Sequence, residues 1–204
     1  MTPRLVLASQ SPARLTTLRS AGLAPEVVVS GVDESAVALA DPAELSLELA
    51  RRKATAVAEG QVDASGALAG ALVVGCDSVL ELDGAVFGKP GSPAEAVDRW
   101  RRMRGRSGVL HTGHWVVDTR SGRSVGAGAR TTVHFAALSD EEIEAYVGSG
   151  EPLHVAGAFT LDGLGGAYVT GIEGDPHNVV GISLPLLREL LGELGVSWHS
   201  LWER

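Results

Sequence analysis

The run "ALVVGCD", Ala71 to Asp77, constrains the fold more than any other stretch of the chain. It is apolar without alternation until it meets a carboxylate. Such a strand is buried on both faces, as strands of a parallel sheet covered by helices are. The run therefore points to an α/β protein. It also predicts that the strand ends at Asp77, which puts a carboxylate on the strand's C-terminal edge. Ligands bind at that edge in α/β sheets. The bland alternative for Asp77 is a cap or turn role, common for Asp.

The flanking sequence supplies the expected partners. Residues 4–8 read as a strand and residues 12–21 as a helix closed by Gly22. "PEVVVSG" reads as a strand running into "VDES", residues 42–59 as a helix closed by Gly60, and the Gly- and Ala-rich segment 60–71 as a loop. If the first strand is a parallel neighbour of the apolar run, Ser9 and Asp77 face one crevice. After the run, "VLELDGAVFG" is a hairpin turning at Asp83-Gly84, a favoured two-residue turn. Residues 93–104 read as a helix, and "GHWVVDTRSGRSVGAGARTTVHFAAL" as two long alternating strands around residues 120–123. Ser139 caps a helix ending near Gly148, "GAYVTGIEG" contains a further strand, and "SLPLLRELLGELG" is the last helix. Strands alternate with helices in the first half and a meander follows. The class is α/β, with a mixed, twisted sheet flanked by helices. At 204 residues the chain suits one domain, or one domain with two lobes.

Three helix starts carry a further signal. "DPAE" (Asp41 to Glu44) and "SPAE" (Ser92 to Glu95) each give an N-cap, Pro at the first helical position and Glu at the third, a capping-box pattern. "SPAR" (Ser11 to Arg14) has the same cap and Pro, but Arg14 stands where Glu belongs. A cation in the first turn opposes the helix macrodipole. An anion bound at that helix start, beside the Ser9 and Ser11 hydroxyls, would make Arg14 a partner. Otherwise Arg14 points along the surface to solvent at a small cost.

Other motifs are weighed the same way. "GAVFGKP" is not a P-loop: its glycines are too close and Pro90 follows Lys89. Lys89 can still act as a point-charge phosphate ligand. "GLGG" fails the dinucleotide pattern because Tyr168 stands where its third Gly should be, and it reads as a tight turn. Asp33 and Glu34 in "VDES" either hold Mg²⁺ together with a substrate phosphate or lie in a solvated loop. His111 and His114 fall on opposite faces of a strand, which argues against zinc. The arginines of "RWRRMRGR" complement a helix C-terminus, with at most a steering role for an anionic substrate.

Charge and composition narrow the function. The formal net charge of −8 argues against broad nucleic-acid binding. No apolar window is long enough for a transmembrane helix, so no membrane association is expected. The lone Cys76 allows no intramolecular disulfide and suits a reducing, cytoplasmic setting. Of 17 cations only Lys53 and Lys89 are lysines, so both stand out in a chain that otherwise uses Arg.

"LASQSPAR", "VDE", "ELARRKA", "GCDSV", "FGKP", "GEPLHVAGAF" and "NVVGISLP" occur in the order and spacing of the Maf family, and the resemblance spans nearly the whole chain. That family resembles the inosine triphosphate pyrophosphatases in fold. The resemblance implies a single nucleotide pyrophosphatase domain over 1–204, with two lobes around a central cleft. The implied activity converts a nucleoside triphosphate to its monophosphate plus pyrophosphate, with a divalent metal, Mg²⁺ or else Mn²⁺ or Co²⁺. By position, Ser9, Ser11 and Arg14 fall on the phosphates, with Ser78 also at the substrate. Glu34, Lys53, Asp77 and Lys89 form the catalytic cluster. Asp77 is the proton acceptor or, with Glu34, a metal ligand. A homodimer is expected. Some members are linked to arrest of septum formation, so the competing reading is a nucleotide- or partner-binding regulator of division. Ala13 replaces a second family Arg, Asp162 in "LDG" replaces Gln, and Gly108 replaces His. The first two bear on base choice. Asp162 either only caps its turn, a common role for Asp, or pairs with guanine's two adjacent donors, which predicts guanine-type substrates, including 7-methyl-GTP, over UTP and dTTP.

Overall fold

The computed structural model describes residues 3–60 and 68–203. Along these, β1 (Arg4–Leu7), α1 (Pro12–Ser20), β2 (Glu26–Val27) and α2 (Pro42–Gly60) precede the long β3 (Ala71–Leu82). Next come β4 (Ala85–Phe87), α3 (Pro93–Met103), β5 (Ser107–Asp118), β6 (Ser124–Phe135) and α4 (Asp140–Gly148). β7 (Val169–Glu173), α5 (Pro176–Val180) and α6 (Leu184–Glu193) complete the chain, with short 3₁₀ turns between. Most of the 60–71 segment lies outside the described residues.

The sheet is mixed, as its sequence predicts. Its seven strands run in the order β2-β1-β3-β5-β6-β7, with β4 paired to β3 off that path. β1 pairs parallel with both β2 and β3, whereas β4 with β3 and β7 with β6 pair antiparallel. Leu7 stands opposite Val74. The chain divides into two compact units. One comprises 1–77, 112–129 and 181–204, and the other 78–111 and 130–180.

The first unit explains the unbroken apolar run. Leu72, Val74 and Cys76 join Leu5, Leu7, Leu18 and the α6 leucines in one core cluster. Val73 and Ala71 join Val6, Ala8, Ala54 and Val57 of α2 in another. Successive β3 side chains thus enter opposite layers, and each layer is roofed by helices. Gly75 sets the distance on the α2 side. A Cβ there would stand 2.3 Å from the Ala50 carbonyl oxygen and 2.7 Å from the Ala54 nitrogen, so only glycine admits the helix backbone this close.

The second unit is built around Trp100. Its ring meets Phe135, Tyr146 and Tyr168 edge-on at 5.6–6.0 Å, inside a cluster with Leu80, Met103, Ile143 and Phe159.

Three expectations need correction. β3 does not end at Asp77 but continues to Leu82, because β4 folds back on its second half through the Asp83-Gly84 turn. Asp77 is therefore mid-strand, three residues beyond the last β1 pairing at Val74. The "PEVVVSG" strand shrinks to Glu26–Val27 at the sheet edge, with Val27 and Val29 exposed. Of the two capping boxes read from "DPAE" and "SPAE", only the forward bonds are seen, from Glu44 N–H to Asp41 and from Glu95 N–H to Ser92. The Glu95 carboxylate instead accepts from Gly91 N–H and pairs with Arg99. Ser139 with Glu142 makes a complete box.

Candidate active site

The first unit gathers six of the expected residues. β1 hands over to α1 through residues 8–11, and Ala8 N–H still bonds the Val74 carbonyl at 2.8 Å. Ser9 Oγ accepts from Ser11 N–H, and Ser11 Oγ caps α1 by accepting from Arg14 N–H. The Arg14 side chain turns inward and is buried. Its Nε donates to the Gly181 carbonyl at 2.7 Å, and Nη1 donates to Ser9 Oγ at 3.1 Å. The alternative of Arg14 lying along the surface is thereby overturned. The cation that spoils the capping box fastens the first loop and keeps its charge beneath Ser9.

The cluster's centre is Lys53. The close packing of α2 on Gly75 brings its Nζ 2.5 Å from Asp77 Oδ1 and 2.7 Å from Glu34 Oε1. Lys53 and Asp77 are buried, whereas the Glu34 side chain is half exposed at the start of a 3₁₀ turn. Burial pushes the Asp77 carboxyl above its ordinary value, although Lys53 and Arg14 pull the other way. Cys76, next in the strand, points into the opposite layer, and burial pushes its thiol up to about 11. At neutral pH it is a protonated core residue, not a nucleophile.

Lys89, Ser78 and Asp162 belong to the second unit. Ser78 is half-buried in β3, directly after Asp77. Lys89 is exposed on the turn between β4 and α3. Asp162 is exposed just before the 3₁₀ turn Leu164–Tyr168. That turn is fixed by Glu151, which sequence reasoning missed. Its carboxylate accepts from Tyr146 Oη, Leu164 N–H and Gly165 N–H, each at 3.0 Å, and from Thr160 Oγ1. Burial acts to raise the Glu151 carboxyl, but the bonds from Thr160, Leu164, Gly165 and Tyr146 outweigh it and hold it below its ordinary value.

The two histidines take separate partners. His111 bonds Glu81 at 2.9 Å, while His114 contacts the Thr112 carbonyl and accepts from Ser183 N–H at 2.8 Å. Accepting at Nε2 requires a neutral ring, so His114 serves as a positioning group for the α6 cap. Among the described residues no group of three or more His, Cys, Asp or Glu converges. The two carboxylates on Lys53 still suit a hard cation, because Mg²⁺ takes only one or two protein carboxylates and completes its shell with phosphate and water. Among the described residues no helix is long and apolar enough to cross a membrane.

The chain is similar to proteins already known. The family model described as Maf-like protein matches residues 4–194. A nucleoside triphosphate pyrophosphatase of Salinispora tropica is 62% identical over 201 residues, covering 98% of this chain and 88% of the relative. The enzyme of that name from Streptomyces coelicolor is 61% identical over 206 residues, covering 99% and 98%. That of Synechococcus elongatus is 54% identical over 190 residues, covering 93% and 92%.

Proposed function

Because the chain belongs to the Maf-like protein family, we propose that it hydrolyses nucleoside triphosphates to the monophosphate and pyrophosphate. The observation that carries the reading is the buried Lys53 bridging Asp77 and Glu34, one strand away from a loop fastened by a buried Arg14. A buried cation shared by two acids beside a Ser-lined helix start suits an anhydride substrate rather than a core ion pair.

In this reading a water oxygen forms a bond to the α-phosphorus while the bond to the α–β bridging oxygen breaks. The water's proton passes to the Asp77 carboxylate, and pyrophosphate leaves. Lys53 orients Asp77 and neutralises phosphate charge. Ser9, Ser11 and Arg14 hold phosphate oxygens, with Ser78 and Lys89 completing the set. Glu34 would hold a divalent cation, joined by Asp77 in the alternative where Asp77 is a metal ligand and not the proton acceptor, and the cation would neutralise phosphate charge when bound. The rest of catalysis is positioning, as in other phosphoryl transfers. The protein is assigned to the cytoplasm as a homodimer, a state that light scattering on the purified chain checks.

For the base, Asp162 is assigned to guanine's N1–H and N2 amino group. Its exposure means that discrimination arises only as a bound base covers the carboxylate, when an unmet polar group costs about 1–3 kcal/mol. The test is turnover in ¹⁸O-labelled water with GTP, 7-methyl-GTP, UTP and dTTP. The expected products are labelled monophosphate and unlabelled pyrophosphate, with guanine-type substrates ahead. Asp162→Gln should shift preference toward the pyrimidines, and Asp77→Asn should lose about a hundredfold or more in kcat. Release of orthophosphate would overturn the reaction. A parent that prefers UTP or dTTP would overturn the base assignment alone.

A further inference from the structure

The five arginines of "RWRRMRGR" differ in one respect. Arg101, Arg102, Arg104 and Arg106 lie on the surface or half-buried, while Arg99 is 5% exposed. It falls on the buried face of α3 with Ala96, Trp100 and Met103. Its Nε makes no hydrogen bond among the described residues, and its one carboxylate partner, Glu95, is half exposed. A buried guanidinium left incompletely bonded is costly in stability. Its other bonds indicate what it is retained for. Nη1 donates to the Gly88 carbonyl and Nη2 to the Lys89 carbonyl, at 3.4 Å for the latter. The guanidinium also lies 5.2 Å from the centre of the Phe87 ring, which Arg102 approaches at 4.9 Å. Arg99 thus grips three consecutive residues, Phe87, Gly88 and Lys89.

The neighbouring Trp100 does the same for a second loop. Its Nε1–H donates to the Ala158 carbonyl at 2.7 Å, and Ala158 is held at φ 59°, a left-handed conformation unfavourable for a residue with a Cβ. Gly157 N–H in turn bonds the Gly88 carbonyl at 3.0 Å. Two adjacent residues of α3 therefore lock both loops together. The exposed Lys89 side chain springs from the point where they meet.

We propose that Arg99 is a positioning residue that fixes the backbone of Lys89, so that its ammonium is presented to the triphosphate in one place. The inference rests on the reading of Lys89 as a phosphate ligand. Arg99 itself touches no substrate. Lys is a flexible point charge with large rotamer freedom, so a mobile backbone beneath it would waste its charge.

A double-mutant cycle on the full chain decides it. Arg99→Met should fold, because Gly88 keeps its bond from Gly157 and Glu95 keeps Gly91. Its kcat/KM should fall about tenfold, within the penalty of a small misplacement. Lys89→Met should lose more. The double variant should be no worse than Lys89→Met beyond about twofold, because the grip then holds nothing useful. A merely structural Arg99 would instead lower activity by the same factor in both backgrounds, which overturns the inference while leaving Lys89 in place. An Arg99→Met enzyme with parental kcat/KM overturns it as well. Parental activity in Lys89→Met overturns the Lys89 reading, and the inference falls with it. If Arg99→Met is insoluble, Arg99→Lys serves in the same cycle. It keeps the buried charge without the two-carbonyl fork, and the same non-additivity is required.

Discussion

Arg14 shows how a local rule broken in sequence marks a residue with other duties. From sequence, Arg14→Glu restores a capping box, which predicts a fold unchanged or slightly more stable. The structure reverses that sign. A Glu at this position would bury a carboxylate against the Gly181 carbonyl, which now accepts from Arg14 Nε. Leaving a buried charge unpaired costs about 3–5 kcal/mol. Arg14→Glu is therefore expected to lower the urea midpoint sharply. Arg14→Met, which buries no charge, should be much milder to the fold yet still impair triphosphate use. Equal stability of the Glu variant and the parent would refute this account. The anomaly itself was legible because two sister helices supplied the comparison. Its resolution was not, because Gly181 lies 167 residues away in the chain.

At the level of elements, unbroken or strictly alternating patterns were legible, and boundaries governed by distant partners were not. β3 reads clearly to Asp77 because both layers take apolar side chains. The continuation to Leu82 depends on β4, whose pairing makes one strand out of what reads as a strand followed by a hairpin. Arg99 shows a missed periodicity: residues 96, 99, 100 and 103 follow the spacing of a buried helix face, but five arginines together read as a solvated end. Glu151 left no local trace, since its partners come from α4 and from the turn after Phe159. It nevertheless yields a pH prediction. Its folded carboxyl lies below the ordinary value of 4.5, so the stability it contributes is complete above that pH and is lost as pH falls through the folded value. At neutral pH, Glu151→Gln should cost about 1–3 kcal/mol, because an amide group then faces backbone N–H donors. Below pH 4.5 the gap between parent and variant should narrow, which denaturant midpoints across that range would measure. A gap that stays constant or widens on acidification would remove Glu151 as the charged strut of this loop.

Over the whole molecule, the composition anticipated a balance that the structure makes concrete. The chain carries a formal charge of −8, yet it buries Arg14 and Lys53 in one small region of its first unit. Those two cations face two carboxylates, Asp77 and Glu34, so the cluster is close to neutral as it stands. A triphosphate brings several negative charges into this setting. The cluster can offset them only in part, because Lys53 is already shared between two acids. On the proposed reading a divalent cation would supply the missing charge, and Glu34 and Asp77 are the kind of carboxylate donors that Mg²⁺ or Mn²⁺ takes beside phosphate oxygens. Removing divalent ions with EDTA should therefore abolish turnover and also most of the thermal stabilisation by a non-hydrolysable triphosphate, since stabilisation follows ligand affinity. Mg²⁺, Mn²⁺ or Co²⁺ should restore both together. Glu34→Gln should raise the metal concentration needed for half-maximal activity without unfolding the chain, because Glu34 is half exposed and Lys53 keeps Asp77. Undiminished turnover in EDTA would refute the charge argument.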